Sequence, residues 1–178
     1  MRLILADYLI DLVDNRVDVA VRIGDLPDSG LVATRLGAVA WITCASPGYC
    51  AVRGTPNHPD NLAQHDCIAF EGLYSTGTWD FRQGNVERAV PIRPQFSVNT
   101  ASGAIDAALV GSGIVRVLSY QAAQAIAEGK LVRVLADHQT APRPVHMVHG
   151  GQPVLPLKLR AFRDFAAPRL KARLAALP

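Results

Sequence analysis

Residues 95–135, QFSVNTASGAIDAALVGSGIVRVLSYQAAQAIAEGKLVRVL, constrain the fold more than any other stretch of the chain. Residues 95–98 have strand composition, and Asn99-Thr100 can cap a helix over 101–110 that Gly111 stops. Gly113 then opens a second apolar run, Ile114–Leu118; a helix over 122–127 ends at Gly129, and 131–135 is strand-like again. Strands that alternate with single helices at such short intervals exclude an all-helical bundle and an all-β sandwich. The chain is therefore expected to be α/β.

The same alternation is expected at the N-terminus. Residues 2–6 (RLILA) read as a strand. Leu9, Leu12 and Val13 recur at helical spacing up to Asn15-Arg16, and residues 17–23 form a second, almost wholly apolar strand. That order predicts a βαβ unit with parallel strands. Strands are expected at 31–36, 39–45, Cys67–Phe70 and 79–81, with a hairpin through Gln83-Gly84-Asn85 into 89–92 and a strand at 145–148. Ser46-Pro47-Gly48 breaks the chain, with a helical turn at 61–65. Pro156 starts a helix whose Leu159, Phe162, Phe165 and Ala166 share a face, and Pro168 ends or kinks it. The loops near 46 and 142 suggest two lobes, one from 1–45 with 144–178 and one from 46–143, with crossovers near 44–47 and 141–145. A ligand would then bind between them, outside the carboxyl ends of strands.

At 178 residues, 49% hydrophobic and 19% charged, the chain is long and apolar enough for a folded core. Its net charge of +3 is lopsided, because Lys158, Arg160, Arg163, Arg169, Lys171 and Arg173 crowd the C-terminus; a solvated helix face explains them best. Three cysteines with no CxxC pair argue for a reducing compartment, no apolar stretch would span a bilayer, and the N-terminus lacks a secretory signal. A cytoplasmic protein with no membrane association is expected.

Catalytic and metal motifs are missing. Asp25 and Asp28 in GDLPDSG are too few for calcium, which takes roughly six to eight oxygens, and fit turn chemistry. Gly111-Ser112-Gly113 follows a helix and precedes a strand, the reverse of a phosphate-binding fingerprint. His65-Asp66-Cys67 and the pair His146/His149 lack the further ligands zinc requires. No GxSxG, P-loop or HExxH occurs. No enzyme, metal or cofactor is expected. Arg116 interrupts a buried-looking strand; it is either a counter-ion for an anionic ligand or, as favoured here, an edge residue that snorkels to solvent.

Several stretches in order, DLVDNRVDVAVRIGDLPDSGLVATRL, ITCASPGY, NLAQHDCIAF, SVNTASGAIDAALVGSGI, EGKLVRVL, PVHMVHG and LPLKLRAFRDF, resemble the effector-binding domain of LysR-type transcriptional regulators. The resemblance covers nearly the whole chain. It implies two Rossmann-like lobes of the type II periplasmic-binding-protein kind, with a small effector clamped between them and the domains paired as dimers or higher oligomers. It also implies that the family's winged helix-turn-helix and the first strand and helix of the first lobe are absent, so this chain alone would not bind DNA.

Where the family usually has an apolar residue, often a proline and commonly an aromatic, this chain has Arg116, Leu118 and His149. Carried over residue by residue, the resemblance points to Asp7, Tyr8, Gly24, Ser75, Thr76, Thr78, Asn99, Thr100, Ala101, Val148 and His149 as effector contacts. The basic balance and the helix N-terminus at Asn99-Thr100-Ala101 favour a small organic anion. A transport solute-binding protein, an enzyme on the same fold (amino-acid dehydratases share it) and a DNA-less regulator acting through mixed dimers are the alternatives.

Overall fold

The structure, a computed structural model, describes every residue except Leu9, Val13, 27–29, 72–76, 152–154 and Pro178. It divides into two compact units: a larger one of Met1–Tyr8 with Ala40–Ala141, and a smaller one of Leu9–Val39 with Pro142–Pro178.

The larger unit is built on a five-stranded sheet. Its strands are β3 (Trp41–Ala45), β4 (Cys67–Phe70), β7 (Pro94–Val98), β8 (Ile114–Leu118) and β9 (Val132–Val134), in the order β7-β4-β8-β3-β9. β4 runs parallel to both β7 and β8, whereas β3 is antiparallel to β8 and β9. Every residue of β3 and β8 is buried, as expected of strands covered on both faces. One face packs Ile42, Cys44, Ile68, Val115 and Val117 against Ala104 and Ala108 of helix α2 (Ala101–Leu109) and Ala122 of α3 (Ser119–Ala127). The opposite face joins Ala45, Cys67 and Ile114 to Tyr49 of α1 (Pro47–Arg53) and to Trp79, Phe81 and Val90 of the hairpin β5 (Thr78–Gln83) and β6 (Val86–Pro91). Alternation along each strand thus feeds two cores from one sheet.

Local signals explain the helix limits. Ser46 caps α1, its Oγ accepting from the Tyr49 N–H at 3.3 Å, and Pro47 takes the first turn, where a missing N–H costs nothing. The Ser-Pro-Gly break expected at 46–48 is therefore a helix start. Beyond α2, Gly111 at φ 83° donates to the Ala108 carbonyl at 3.0 Å and Ser112 to that of Ala107 at 3.0 Å, a Schellman closure. Gly129 and Lys130 close α3 in the same way.

The smaller unit has a three-stranded antiparallel sheet of β1 (Val19–Ile23), β10 (Arg143–Gly150) and β2 (Leu31–Val39), in the order β1-β10-β2, with α4 (Leu157–Ala175) packed on β2. A Cβ on Gly37 would lie 3.0 Å from Leu174 Cβ, so the absent side chain is what lets strand and helix approach. Pro168 sits inside α4 and does not end it.

The N-terminal expectation fails. Residues 2–6 form no strand, and β1 takes its hydrogen bonds from β10, antiparallel, so there is no parallel βαβ unit here. Among the described residues of the expected helix, Leu12 and residues 14–16 lie in turns. The Asp14 N–H donates to Asp11 Oδ1 at 2.9 Å, Val17 donates to the Leu12 carbonyl at 2.8 Å, and Arg16 adopts φ 51°. Apolar spacing marks residues that want burial, but not the partner that supplies the hydrogen bonds. The two units divide at 39/40 and 141/142, and all of β3 pairs within the larger sheet. Among the described residues, no helix is long and apolar enough to cross a membrane.

Candidate functional site

The parallel strands β4 and β7 end side by side, Phe70 opposite Val98, and the Glu71 N–H donates to the Val98 carbonyl at 2.8 Å. The residues that follow these ends, Glu71 and Asn99-Thr100, therefore emerge together. Thr100 is the N-cap of α2: its backbone is extended (φ −128°, ψ 142°), and its Oγ1 accepts from the Gly103 N–H at 3.2 Å.

The next orphan donor of α2, the Ala101 N–H, is taken by a residue remote in sequence. It donates to Asp7 Oδ2 at 3.1 Å across 94 positions. A carboxylate at a helix start meets free N–H groups and the positive end of the helix dipole. Beside this contact lies a pocket of about 310 Å³ lined by Leu5, Ala6, Asp7, Tyr8, Glu71, Asn99 and Thr100. Tyr120, at the start of α3, feels the same carboxylate. Burial pushes its phenol up, the Asp7 charge pushes it further, and a hydrogen bond with Gln121 opposes both. That phenol stays protonated at neutral pH, a donor and not an anion.

Of the residues singled out in the sequence, Asp7, Tyr8, Asn99, Thr100 and Ala101 are brought together here. Thr78 is the exposed first residue of β5 and does not line the pocket. Ser75 and Thr76 lie outside the described residues. Gly24, Val148 and His149 belong to the smaller unit. There Gly24 adopts φ 105° and donates to the Pro144 carbonyl at 2.8 Å, which explains the glycine by its backbone. Val148 is fully buried on β10, and His149 is 6% exposed with its Nδ1 donating to the Gly150 carbonyl at 2.9 Å. Both side chains act as core.

Glu71, Leu5 and Ala6 were not anticipated. Glu71 was recoverable, since it directly follows a strand whose carboxyl end borders a crevice. Leu5 and Ala6 carried no such signal.

Other polar groups of the larger unit have structural work. Arg116 is not at an edge: β8 is an inner strand, and the guanidinium lies 4.6 Å from the Phe81 ring centroid and 6.0 Å from that of Trp41. Burial pushes the thiols of Cys44 and Cys67 up to about 12, so neither is a nucleophile at neutral pH. The Asp66 N–H donates to Tyr49 Oη at 2.9 Å, and the phenol in turn donates to His65 Nδ1 at 3.1 Å. Among the described residues, no group of three or more His, Cys, Asp and Glu could hold a metal ion. In the smaller unit, Asp25 pairs with Arg143 at 3.4 Å on the surface, and Asp28 lies outside the described residues.

Comparison with known proteins agrees with this architecture. The LysR substrate binding domain matches residues 1–171. The HTH-type transcriptional regulator CrgA of Neisseria meningitidis serogroup B is 35% identical over 174 residues, 96% of this chain and 57% of that protein. The solved regulatory domain of the Neisseria meningitidis CrgA superposes with a TM-score of 0.78 at 33% identity, covering 89% of this chain and 78% of that one. The regulatory domain of AphB from Vibrio vulnificus gives 0.75 at 29% identity, covering 87% and 76%. The chain spans a little over half the length of the CrgA sequence it matches. Its sheets, its order of elements and these likenesses agree on the type II periplasmic-binding-protein fold, and the chain belongs to the LysR substrate-binding-domain family.

Proposed function

We propose that this chain senses a small organic anion, whose carboxylate is recognised by the N-terminal amides of α2 beside the pocket at the carboxyl ends of β4 and β7. The observation that carries this reading is that the Ala101 N–H already holds a carboxylate, that of Asp7. A helix start that holds one carboxylate has the donor and the dipole that a ligand's carboxylate could use in its place. Asn99, Thr100 and Tyr8 on the pocket wall add polar groups to orient the remainder of the ligand, and Leu5 and Ala6 add apolar surface.

In a longer regulator the bound effector would act by preferring one conformation of the domain, which shifts the population that an attached DNA-binding part experiences. Pairing with a second copy would transmit that shift. No catalytic role is assigned to any residue.

The test is a thermal-shift and amide-resonance screen of small carboxylates against their neutral amide isosteres. Carboxylates are expected to raise the melting temperature and to move the Ala101 and Gly103 amide signals. Stabilisation by neutral or cationic compounds only would refute the reading.

A further inference from the structure

We infer that Asp7 is a built-in competitor for the ligand: its carboxylate occupies the amide that an external carboxylate needs, and binding proceeds by exchange with it. The inference rests on the anion reading above and adds how that site is regulated.

Three observations carry it. The contact is specific, Asp7 Oδ2 accepting from the Ala101 N–H at 3.1 Å, and it comes from a segment far away in sequence. Thr100 Oγ1 serves only the Gly103 N–H, so the Ala101 N–H is an orphan donor that takes its acceptor from outside the helix. Finally, among the described residues the charged side chains on the pocket wall are Asp7 and Glu71, both acidic. An incoming carboxylate therefore meets like charge at the wall, and the attraction that remains is the start of α2, which is already neutralised. With Asp7 seated, an external anion is disfavoured; with Asp7 withdrawn, the same amide is open to it.

The Tyr120 phenol, pushed up by desolvation and then by the Asp7 charge, lies close enough to that carboxylate to feel it.

Benzoate and benzamide, alike in shape and different in charge, are suitable probes on the full chain, compared between wild type and Asp7→Ala, with Asp7→Asn as the conservative variant. Without any probe, Asp7→Ala is expected to move the Ala101 amide resonance and speed its hydrogen exchange. Benzoate is expected to bind Asp7→Ala about tenfold tighter than wild type, the worth of one carboxylate at a helix start. Asp7→Asn should lie between the two, since its amide oxygen still accepts from the Ala101 N–H without the charge, and benzamide affinity should be unchanged throughout. An unmoved Ala101 amide in Asp7→Ala would show that the contact does not exist, and overturns the inference. Equal benzoate affinity in wild type and Asp7→Ala, with the Ala101 amide shifting on binding in both, overturns the competition while leaving the anion reading intact. Failure of benzoate to perturb Ala101 in any of the three proteins overturns both.

Discussion

Replacing Gly113 with alanine should be among the most damaging single-methyl additions in the larger unit. Gly113 joins α2 to β8 at φ 154°, and a Cβ there would lie 2.5 Å from the Asp66 carbonyl oxygen and 3.0 Å from its carbon. Both neighbours are backbone, so no side chain can swing aside. The Asp66 carbonyl also accepts from the Ile114 N–H at 2.9 Å, which sets the start of the β4–β8 pairing at Cys67 and Ile114. An alanine must either hold an unfavourable backbone conformation, at about 1–3 kcal/mol, or push β8 off Asp66 and lose a buried hydrogen bond, at about 1–3 kcal/mol. With residual overpacking the cost is about 3–5 kcal/mol. Urea unfolding with a slope near 2 kcal/mol per molar would show the midpoint falling by roughly 1.5–2.5 M. Gly129→Ala is the control: its φ of 68° is also positive, but open space surrounds it, so only about 1 kcal/mol of backbone strain is expected. If the two variants lose the same stability, the close approach at Asp66 is not what demands glycine, and the reasoning is wrong.

Thr100→Ala removes the side-chain acceptor for the Gly103 N–H and should cost about 1 kcal/mol, read as a melting temperature lower by about 2–4 °C. Burial chiefly, with help from Arg53 and against the pull of Asp66, lowers the His65 pKa below its ordinary 6.5. The unfolded chain therefore binds more protons than the folded one just below pH 6.5, and stability should fall as the solution is acidified through that range. His65→Gln should flatten this dependence in pH-resolved urea melts. Cys44 and Cys67, with thiols raised to about 12, should be silent to a disulfide reagent at pH 8 in the folded protein and react once urea exposes them. Arg116→Lys should cost about 1–2 kcal/mol, because an ammonium cannot lay a flat face on Phe81.

Much of the larger unit was legible because its signals are local. Thr100 announces α2, Gly111 and Gly129 close two helices, and Ile114–Leu118 is apolar enough to be an inner strand. What escaped depends on partners remote in sequence. The run RLILA reads as a strand, yet a strand exists only where a neighbour completes its hydrogen bonds, and β1 finds that neighbour in β10. Arg116 looked like a residue bound for solvent because sequence shows the charge and not the aromatic ring that receives it. Likewise, the approach of Asp7 to Ala101 could not be read from spacing, although both residues had been singled out separately.

Arg116 and the site are linked through β8, which carries the arginine, and its neighbour β4, which leads into the pocket. Alternation along β8 directs Val115 and Val117 into the core beneath α2 and α3, and Ile114 and Arg116 toward the hairpin side. β8 in turn pairs with β4, whose carboxyl end presents Glu71 beside Asn99 and Thr100. An arginine held against Phe81 therefore ties the hairpin to the strand next to β4, whose end presents Glu71 to the pocket. A change there should loosen the hairpin first and the start of α2 only through β4. Hydrogen exchange on Arg116→Lys should accordingly rise in β5 and β6 before it rises at Ala101 and Gly103; simultaneous loosening of all four would mean that the larger unit opens as one cooperative body.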